Sequence, residues 1–158
     1  MKYEADPRHV EIVVQQLKLE EAKPVATPGT KDEGITKDGM DKPLDDEQAS
    51  QYRALVARCN YLAPDRPDIA YSVKELARKM SNLESGDWMK LKRLGRYLKG
   101  RPRLQQTFQW QEAQGVIRTY SDADWAGCKQ TRRSTTGGCI KLGTHTIKGW
   151  SKTQSLIA

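Results

Sequence analysis

Apolar residues recur every three or four positions over the first hundred residues, the spacing that places them on one face of a helix. The first helix is predicted to begin at Asp6-Pro7, with Asp6 as N-cap and Pro7 in the first turn, and to end near Leu19. Its apolar face is formed by Val10, Val13, Val14 and Leu17. The pattern therefore predicts a helix that packs against other apolar surfaces.

Three further helices are predicted before residue 100. The second begins at Asp45 or Asp46 and ends at Pro64, the third begins at Pro67, and the fourth covers residues 87–99. The residues expected on their buried faces are Tyr52, Leu55, Val56, Cys59 and Leu62; then Ile69, Val73, Leu76 and Met80; then Trp88, Leu91, Leu94 (or Gly95) and Leu98. These stripes predict a helical unit with its own core.

After residue 100 the apolar period changes from helical to strand-like. Strands are predicted over Leu104–Trp110, Val116–Ser121, Gly137–Leu142 and Thr146–Trp150, with a turn at Gly143–His145. The last three are joined by short connections, which favours an antiparallel meander. The fold class is accordingly predicted to be α+β, with a helical unit followed by a three-stranded sheet.

The charge is distributed unevenly along the chain. Residues 23–45 alternate proline and glycine among scattered charges without any period, which indicates a linker. Residues 1–50 hold 7 Lys/Arg against 12 Asp/Glu, whereas residues 51–158 hold 20 against 8. A polyanion is therefore favoured as a partner of the second part only.

Several classes of protein are disfavoured. No apolar run has the length of a membrane span, and residues 1–10 lack the apolar core of a signal peptide, which predicts an intracellular protein, cytoplasmic or nuclear. Cys59, Cys128 and Cys139 include no Cys-x-x-Cys pair and are expected to be reduced thiols. A zinc site is not expected, because His9 and His145 lie far from any cysteine pair.

The stretch from Asp87 to Arg103 contains seven cations and a single carboxylate. The cations are Lys90, Lys92, Arg93, Arg96, Lys99, Arg101 and Arg103. Because the apolar stripe of the fourth helix faces inward, these side chains are expected to share its outer arc. Such an array binds the phosphates of a duplex without sequence preference and releases them as salt rises. A solvated helix face explains the same pattern equally well.

Asp122 and Asp124 stand two residues apart at the end of a predicted strand. If the strand continues through both, its period places their carboxylates on one side, where they would suit Mg²⁺. Two-metal nucleases hold their ions with clustered acids of this kind. The alternative is a polar turn in which the two aspartates have no catalytic role. A further alternative is a phosphatase resembling the haloacid dehalogenases, with Asp122 as nucleophile and Asp124 as acid, although Ala126 stands where that family has Thr or Val.

Ordered motifs over nearly the full length resemble the Pol polyproteins of copia-type LTR retrotransposons. Those resembling the region after the polymerase palm, its thumb and connection, are Tyr52–Val56, Tyr61–Ala63, Arg66–Tyr71 and Leu94–Gly100, with residues 4–9 similar to the segment that leaves the palm. Those resembling the start of the ribonuclease H domain are Asp122–Gly127, Arg132–Gly137 and Trp150–Gln154. The domains implied are residues 1–22 as a palm-like end, 23–45 as linker, 46–110 as a helical thumb/connection-like region and 116–158 as the truncated beginning of a ribonuclease H-like domain.

The resemblance implies a parent enzyme, a reverse transcriptase/ribonuclease H. That parent would bind template–primer duplex and hydrolyse the RNA of RNA–DNA hybrids with Mg²⁺. Asp122 matches its first metal-binding, catalytic carboxylate, whereas Asp124 is not made a ligand. Arg132 and Arg133 lie in the following connection, where either a substrate-facing role or a plain turn is implied.

The chain itself is expected to be catalytically incomplete. The family's further metal-binding Glu and Asp residues would lie beyond Ala158, and the polymerase aspartates before Met1. We therefore expect no hydrolysis by this chain, no stable Mg²⁺ binding, and the rest of the polyprotein as a partner. The alternatives are a non-enzymatic basic module that binds nucleic acid, or an inert relic. The sheet is expected to be the less stable part, because small sheets need a covering layer.

Overall fold

The computed structural model describes residues 1–30, 42–128 and 131–157 and divides the chain into two compact units. The first unit, Glu4–Leu104, contains the helices, and the second unit, Met1–Tyr3 with Gln105–Ala158, contains the strands. The helices are α1 (Arg8–Gln16), α2 (Asp46–Leu62), α3 (Ala70–Ala77) and α4 (Ser85–Gly100). The strands are β1 (Lys2–Tyr3), β2 (Gln106–Thr107), β3 (Ile117–Ala123), β4 (Arg133–Leu142) and β5 (His145–Ile157). The predicted combination of helices and sheet is confirmed.

The core of the helical unit is built from the predicted apolar stripes. All four helices contribute buried side chains to one continuous cluster. The predicted face of α2 is buried over its whole length, and Tyr52 donates a hydrogen bond from its hydroxyl to the Leu76 carbonyl at 3.0 Å. Burial raises the pKa of the Cys59 thiol to about 12, so this cysteine acts as a small apolar side chain. Met80, predicted to lie on the face of α3, follows that helix and is only partly buried.

Capping residues decide where α2 and α4 begin. The Asp45 side chain accepts a hydrogen bond from the Gln48 backbone N–H at 2.7 Å, and α2 starts at the next residue, as predicted. The fourth helix starts at Ser85, two residues before the predicted boundary. Glu84 and Asp87 cap it reciprocally, a capping box that the prediction did not include.

The other two helices begin later than predicted. Asp6 accepts a hydrogen bond from the Arg8 backbone N–H at 3.0 Å, which is the expected capping contact, but regular helix starts only at Arg8, after Pro7. The third helix starts at Ala70, because residues 67–69 form a turn in which the Ile69 N–H reaches the Arg66 carbonyl. Proline at the start of a segment therefore marked a turn entering each helix, not its first regular residue.

The second unit consists of a short ribbon and a three-stranded antiparallel meander. The ribbon pairs β1 with β2, so the strand predicted over Leu104–Trp110 is reduced to two residues. The meander has the order β3-β4-β5, as predicted, and its β4 and β5 are longer than expected. Gly143 and Thr144 form the turn between them, and Gly143 takes the left-handed backbone conformation that tight hairpins require.

The meander has little apolar core of its own. All seven residues of β3 are exposed, including Ile117 and Tyr120. Among the described residues of this unit, Ala126 is the single buried apolar residue, whereas eighteen buried residues form the core cluster of the helical unit. The meander is therefore held mainly by its backbone ladder. None of the described helices has the length and apolarity needed to cross a bilayer.

Candidate nucleic-acid interface and carboxylate site

The cations of α4 lie between its buried residues, on the side turned away from the core. Leu91, Leu94 and Leu98 are fully buried, and the basic side chains between them are half-buried rather than fully exposed. The expectation that all seven share one outer arc of the helix is wrong for Arg101 and Arg103, which follow the end of α4, and for Lys90, which pairs with the buried Asp87. The basic side chains of α4 are less solvated than the sequence suggests, because another segment of the chain covers part of the arc.

That segment, residues 20–27, is here called the strap. Arg93 donates from Nε to the Thr27 carbonyl at 3.2 Å and from Nη2 to the Thr27 hydroxyl at 2.9 Å. Arg96 donates from Nε to the Lys23 carbonyl at 2.7 Å. Lys99 donates to the carbonyls of Glu20 and Ala22. The beginning of the predicted linker is therefore fixed along α4, while residues 31–41 of that linker lie outside the described part of the chain.

Two glycines let the chain pass close to α4, Gly95 at Leu19 just before the strap and Gly100 at Pro24 within it. A Cβ atom added to Gly95 would lie 2.7 Å from the Leu19 side chain, and one added to Gly100 would lie 2.7 Å from the Pro24 Cβ. Both distances are too short for a real side chain. Glycine inside a helix costs about 1 kcal/mol of stability relative to alanine. At these two positions the close packing of the chain against α4 offsets that cost.

The remaining cations have different partners. Lys90 pairs with Asp87 at 3.3 Å, and Arg103 pairs with Glu4, which raises the pKa of Arg103. The Arg101 guanidinium lies over the Tyr97 ring, 5.9 Å from its centroid. Within the described ranges, Lys92 makes no ion pair or side-chain hydrogen bond.

Carbonyl oxygens are neutral, so the bonds to the strap leave the positive charge of α4 in place. Lys90 pairs with Asp87 and Arg103 with Glu4, whereas Arg96 and Lys99 bond to strap carbonyls. The arc therefore keeps an excess of positive charge at its surface. Arg96 uses only Nε in the bonds that the described residues show, which leaves its two terminal nitrogens for another acceptor.

An ion pair that the sequence analysis missed lies where α4 ends. Arg66, whose side chain is 2% exposed, binds Asp68 through Nε at 3.0 Å and Nη2 at 2.8 Å. It also donates to the carbonyls of Arg101 and Pro102, and Tyr97 donates from its hydroxyl to Asp68 at 2.9 Å. The available signal was the Arg-Pro-Asp spacing, since a proline between them holds two charges on one side of a turn.

These groups line an open cavity of about 410 Å³ beside the C-terminal end of α4. Burial alone raises the pKa of Asp68, but its hydrogen bonds and charge interaction with Arg66 outweigh burial, and the net pKa is lowered. Burial and the bond to Asp68 raise the pKa of Tyr97. The network binds the carbonyls of the two residues that follow α4 and so holds the path by which the chain leaves the helix.

The two carboxylates of the meander accept hydrogen bonds from different parts of the hairpin. Asp122 is exposed on β3 opposite Gly137, and its Oδ1 accepts a hydrogen bond from the Ala123 N–H at 2.9 Å. The strand ends at Ala123, so the period that would have aligned Asp124 with Asp122 does not apply. Asp124 instead accepts a hydrogen bond from the Thr135 N–H at 2.6 Å and donates its own N–H to the Thr135 carbonyl.

This placement bears on both predicted chemistries. Asp124 bonds the backbone in the connection between β3 and β4, so it is not free to act as the acid of the haloacid dehalogenase alternative. The sheet is antiparallel, which also speaks against that alternative. Over residues 1–30, 42–128 and 131–157, no three His, Cys, Asp or Glu side chains come close enough to hold a metal ion together. Asp122 alone offers one carboxylate group.

Arg132 and Arg133 are exposed where the chain enters β4. Together with residues 124–128 across the hairpin, residues 132–135 are here called the hairpin tip. The Cys128 N–H donates to the Arg133 carbonyl at 3.2 Å, and the Ala126 N–H donates to the Ser134 hydroxyl at 3.1 Å. Trp125, in the middle of the tip, is 82% exposed and was not singled out in the sequence.

No protein-family model matches the chain, and no solved structure matches it. Curated relatives do. The retrovirus-related Pol polyprotein from transposon RE2 of Arabidopsis thaliana is 38% identical over 133 residues, which are 84% of this chain and 9% of that protein. The polyprotein from transposon RE1 of the same plant is also 38% identical over 133 residues, with the same coverage. An uncharacterized mitochondrial protein of A. thaliana is 36% identical over 109 residues, 69% of this chain and 45% of that protein.

The chain therefore spans less than half of the uncharacterized mitochondrial protein and about a tenth of each Pol polyprotein. The similarity to the polyproteins extends over most of this chain, so it includes residues from both compact units. It agrees with the ordered motifs read from the sequence. The chain belongs to the retrovirus-related Pol polyproteins of copia-type retrotransposons.

Proposed function

We propose that this part of the polyprotein binds the phosphate backbone of a nucleic-acid duplex through the outer arc of α4, without sequence preference. In the parent, the duplex would be template–primer or RNA–DNA hybrid. Lys92 and Arg101 would contact phosphates directly. Three further cations, which the strap holds in place, would attract the duplex by their positive charge: Arg93, Arg96 and Lys99. Non-sequence-specific binding of duplex is dominated by such backbone contacts.

The observation that carries the proposal is the neutral nature of the strap contacts. Arg96 and Lys99 are held along one line of the helix by carbonyl oxygens of the strap, so their orientation is fixed while these bonds leave their charge in place. A purely structural set of cations would be expected to pair with carboxylates, as Lys90 and Arg103 do. Ordered, uncompensated positive charge is suited to a polyanion, because little side-chain entropy remains to be lost on binding.

Salt dependence of binding tests the proposal. Lys92→Glu should weaken binding of a blunt RNA–DNA hybrid, and the slope of log K against log salt should become shallower by about 1, since about one phosphate contact is lost. Fluorescence anisotropy with labelled hybrid at several salt concentrations measures both quantities. The fold should be unaffected, because Lys92 holds no other residue within the described ranges.

Lys148→Glu is the matched control. It makes the same change in net charge at an exposed position of β5 and should leave the slope unchanged. If both variants lower affinity equally, the effect belongs to net charge and the helix is not the interface. Salt-insensitive binding by the unmodified chain would also contradict the proposal.

We further propose that Asp122 supplies one carboxylate ligand to Mg²⁺ in the parent enzyme, where residues outside this chain complete the site. Its exposed position at the end of β3 and the preference of Mg²⁺ for oxygen ligands support this role. The ion would there polarise the scissile phosphate and activate water. Asp122→Asn in the intact polyprotein should abolish Mg²⁺-dependent hydrolysis of hybrid, and full retention of activity would refute the assignment.

A further inference from the structure

Trp125 is presented to solvent by a hairpin tip whose other residues are tightly bonded. Its side chain is 82% exposed, although an indole gains more than most side chains from burial. One exposed aromatic side chain is ordinary in itself. The surrounding backbone and charges are what give this one a function.

Hydrogen bonds across the hairpin hold the tip on both sides of Trp125. On one side, Asp124 bonds the Thr135 backbone through its carboxylate and through its own N–H. On the other side, the Ala126 N–H donates to the Ser134 hydroxyl, and both of these residues are 5% exposed. The indole therefore projects from a fixed base, and binding a ligand would cost it little backbone entropy.

The backbone of the tip is also unusual. Ala126 has φ 49° and Arg132 has φ 55°, the left-handed region that side chains other than glycine seldom adopt. A Cβ atom added to Gly127 would lie 2.0 Å from the Asp124 carboxylate, so the turn is tight as well. Sparsely populated backbone conformations that neighbouring bonds enforce are concentrated at binding sites.

Two exposed arginines belong to the same hairpin tip as Trp125. Arg132 and Arg133 are exposed on the β4 side of the same tip, and the bond from the Cys128 N–H to the Arg133 carbonyl places that residue across the hairpin. An exposed aromatic ring and exposed arginines on one hairpin suit an unpaired nucleotide, whose base would stack on the ring while the cations bind its phosphates. A base inside a duplex is already stacked and offers no free face to the ring.

We infer that the hairpin tip binds single-stranded nucleic acid, with an unpaired base stacked on Trp125 and the backbone phosphates on Arg132 and Arg133. The proposed function concerns duplex bound by α4, and this inference adds an unpaired strand bound by the meander. It rests on the proposed function in one respect, that the ligand is a nucleic acid. The ligand needs no particular base, because every base has a face that can stack.

The test uses the full chain and two probes, an oligo(dT) strand of about 15 nucleotides and a blunt duplex of the same length. Trp125→Ala should weaken binding of the single strand about tenfold and leave duplex binding unchanged, and Trp125→Phe should restore most of the loss. Trp110→Ala is the matched control. Trp110 is 87% exposed in the same unit but is flanked by Gln109 and Gln111 instead of arginines, so its removal should change neither probe.

The outcomes separate this inference from the proposed function. If Trp125→Ala and Trp110→Ala behave alike, or if Trp125→Ala weakens both probes equally, the inference is overturned. Suppose that Trp125→Ala leaves single-strand binding unchanged and Lys92→Glu weakens duplex binding. The inference about the hairpin tip is then overturned, and the proposed duplex binding by α4 is supported. Suppose instead that only Trp125→Ala weakens single-strand binding and that Lys92→Glu leaves duplex binding unchanged. The inference about the hairpin tip is then supported, and the proposed duplex binding by α4 is overturned.

Discussion

At the scale of single residues, the ion pair of Arg66 with Asp68 is expected to have a large effect on stability. Arg66 is almost fully buried; its charge is compensated by the Asp68 carboxylate, and it also donates hydrogen bonds to two carbonyls. Removing one partner of a buried pair costs more than the pair contributes, because the other charge stays buried without compensation. This asymmetry gives a prediction for substitution and for pH.

Asp68→Asn should lower the free energy of unfolding by about 3 kcal/mol at neutral pH. The pKa of Asp68 is lowered in the folded state, so its contribution is complete above its unfolded pKa of about 4 and is lost as pH falls through the folded value. The difference between the two proteins should therefore shrink below about pH 4. Urea unfolding at neutral and acidic pH measures it.

Asp46→Asn is the control for this prediction, because it makes the same chemical change at an exposed position in the first turn of α2. It should cost less than about 1 kcal/mol, the usual size of a charge effect at a helix terminus. A constant difference between Asp68→Asn and the unmodified chain from pH 7 to pH 3 would show that the Asp68 charge is not what stabilises the pair.

The contacts of individual polar side chains were the part of the structure that the sequence predicted least well. The spacing of Asp122 and Asp124 suggested two aligned carboxylates, and the bond from the Thr135 N–H to Asp124 separates them. That bond depends on where β3 ends and on how the hairpin closes, which are long-range properties. Arg66 was missed for the same reason, since its acceptors at residues 101 and 102 belong to the far end of another helix.

At the scale of elements, α4 depends on the strap as much as the strap depends on α4. Lys99→Met keeps the aliphatic stem but removes both hydrogen bonds to the strap, to the Glu20 and Ala22 carbonyls. It should lower the free energy of unfolding by about 1–2 kcal/mol, the usual range for bonds from a charged donor at a partly exposed site. Thermal or urea unfolding followed by far-UV circular dichroism measures the change.

Lys92→Met makes the same substitution seven residues earlier on the same helix, at a position without a strap contact. Its stability should stay within about 0.5 kcal/mol of the unmodified chain. Equal stability of the two variants would mean that the strap contributes nothing through Lys99. The pair also separates stability from binding, because both variants remove one positive charge from the arc.

Helices and strands themselves were largely predictable from local pattern. The apolar face of α2 and its cap at Asp45 are governed by neighbours in sequence, and both predictions are confirmed. The strand over Leu104–Trp110 was wrong except at its centre, because a strand exists only where a partner pairs with it, and β1 supplies two residues. The position of the strap could not be predicted, since its acceptors are backbone carbonyls and leave no mark in the sequence.

At the scale of the whole molecule, the two units differ in what holds them together. The helical unit has a continuous apolar core, and the meander exposes Ile117, Tyr120 and Leu156. Burial of one large apolar side chain stabilises by about 1.5–3 kcal/mol, so the units are expected to differ strongly in local stability. The helical unit should behave as the cooperative part of the chain.

Hydrogen exchange on the full chain tests this expectation. Amides in the middle of α2 and α4 should exchange at least about tenfold more slowly than ladder amides of β3 and β4, because local opening of the meander exposes little apolar surface. The comparison needs no variant, since each unit serves as the control for the other. Equal protection in both units would show that the meander is stabilised by something other than its backbone ladder.

The strap contacts have one more consequence, which concerns tolerance to sequence change. Arg96 and Lys99 bond to main-chain oxygens of the strap, which every amino acid supplies. The helix thus recognises the path of the strap and not the identity of its side chains. Residues 20–23 can vary between elements without releasing the strap, provided that the chain keeps its path, whereas Arg96 and Lys99 have no equivalent freedom.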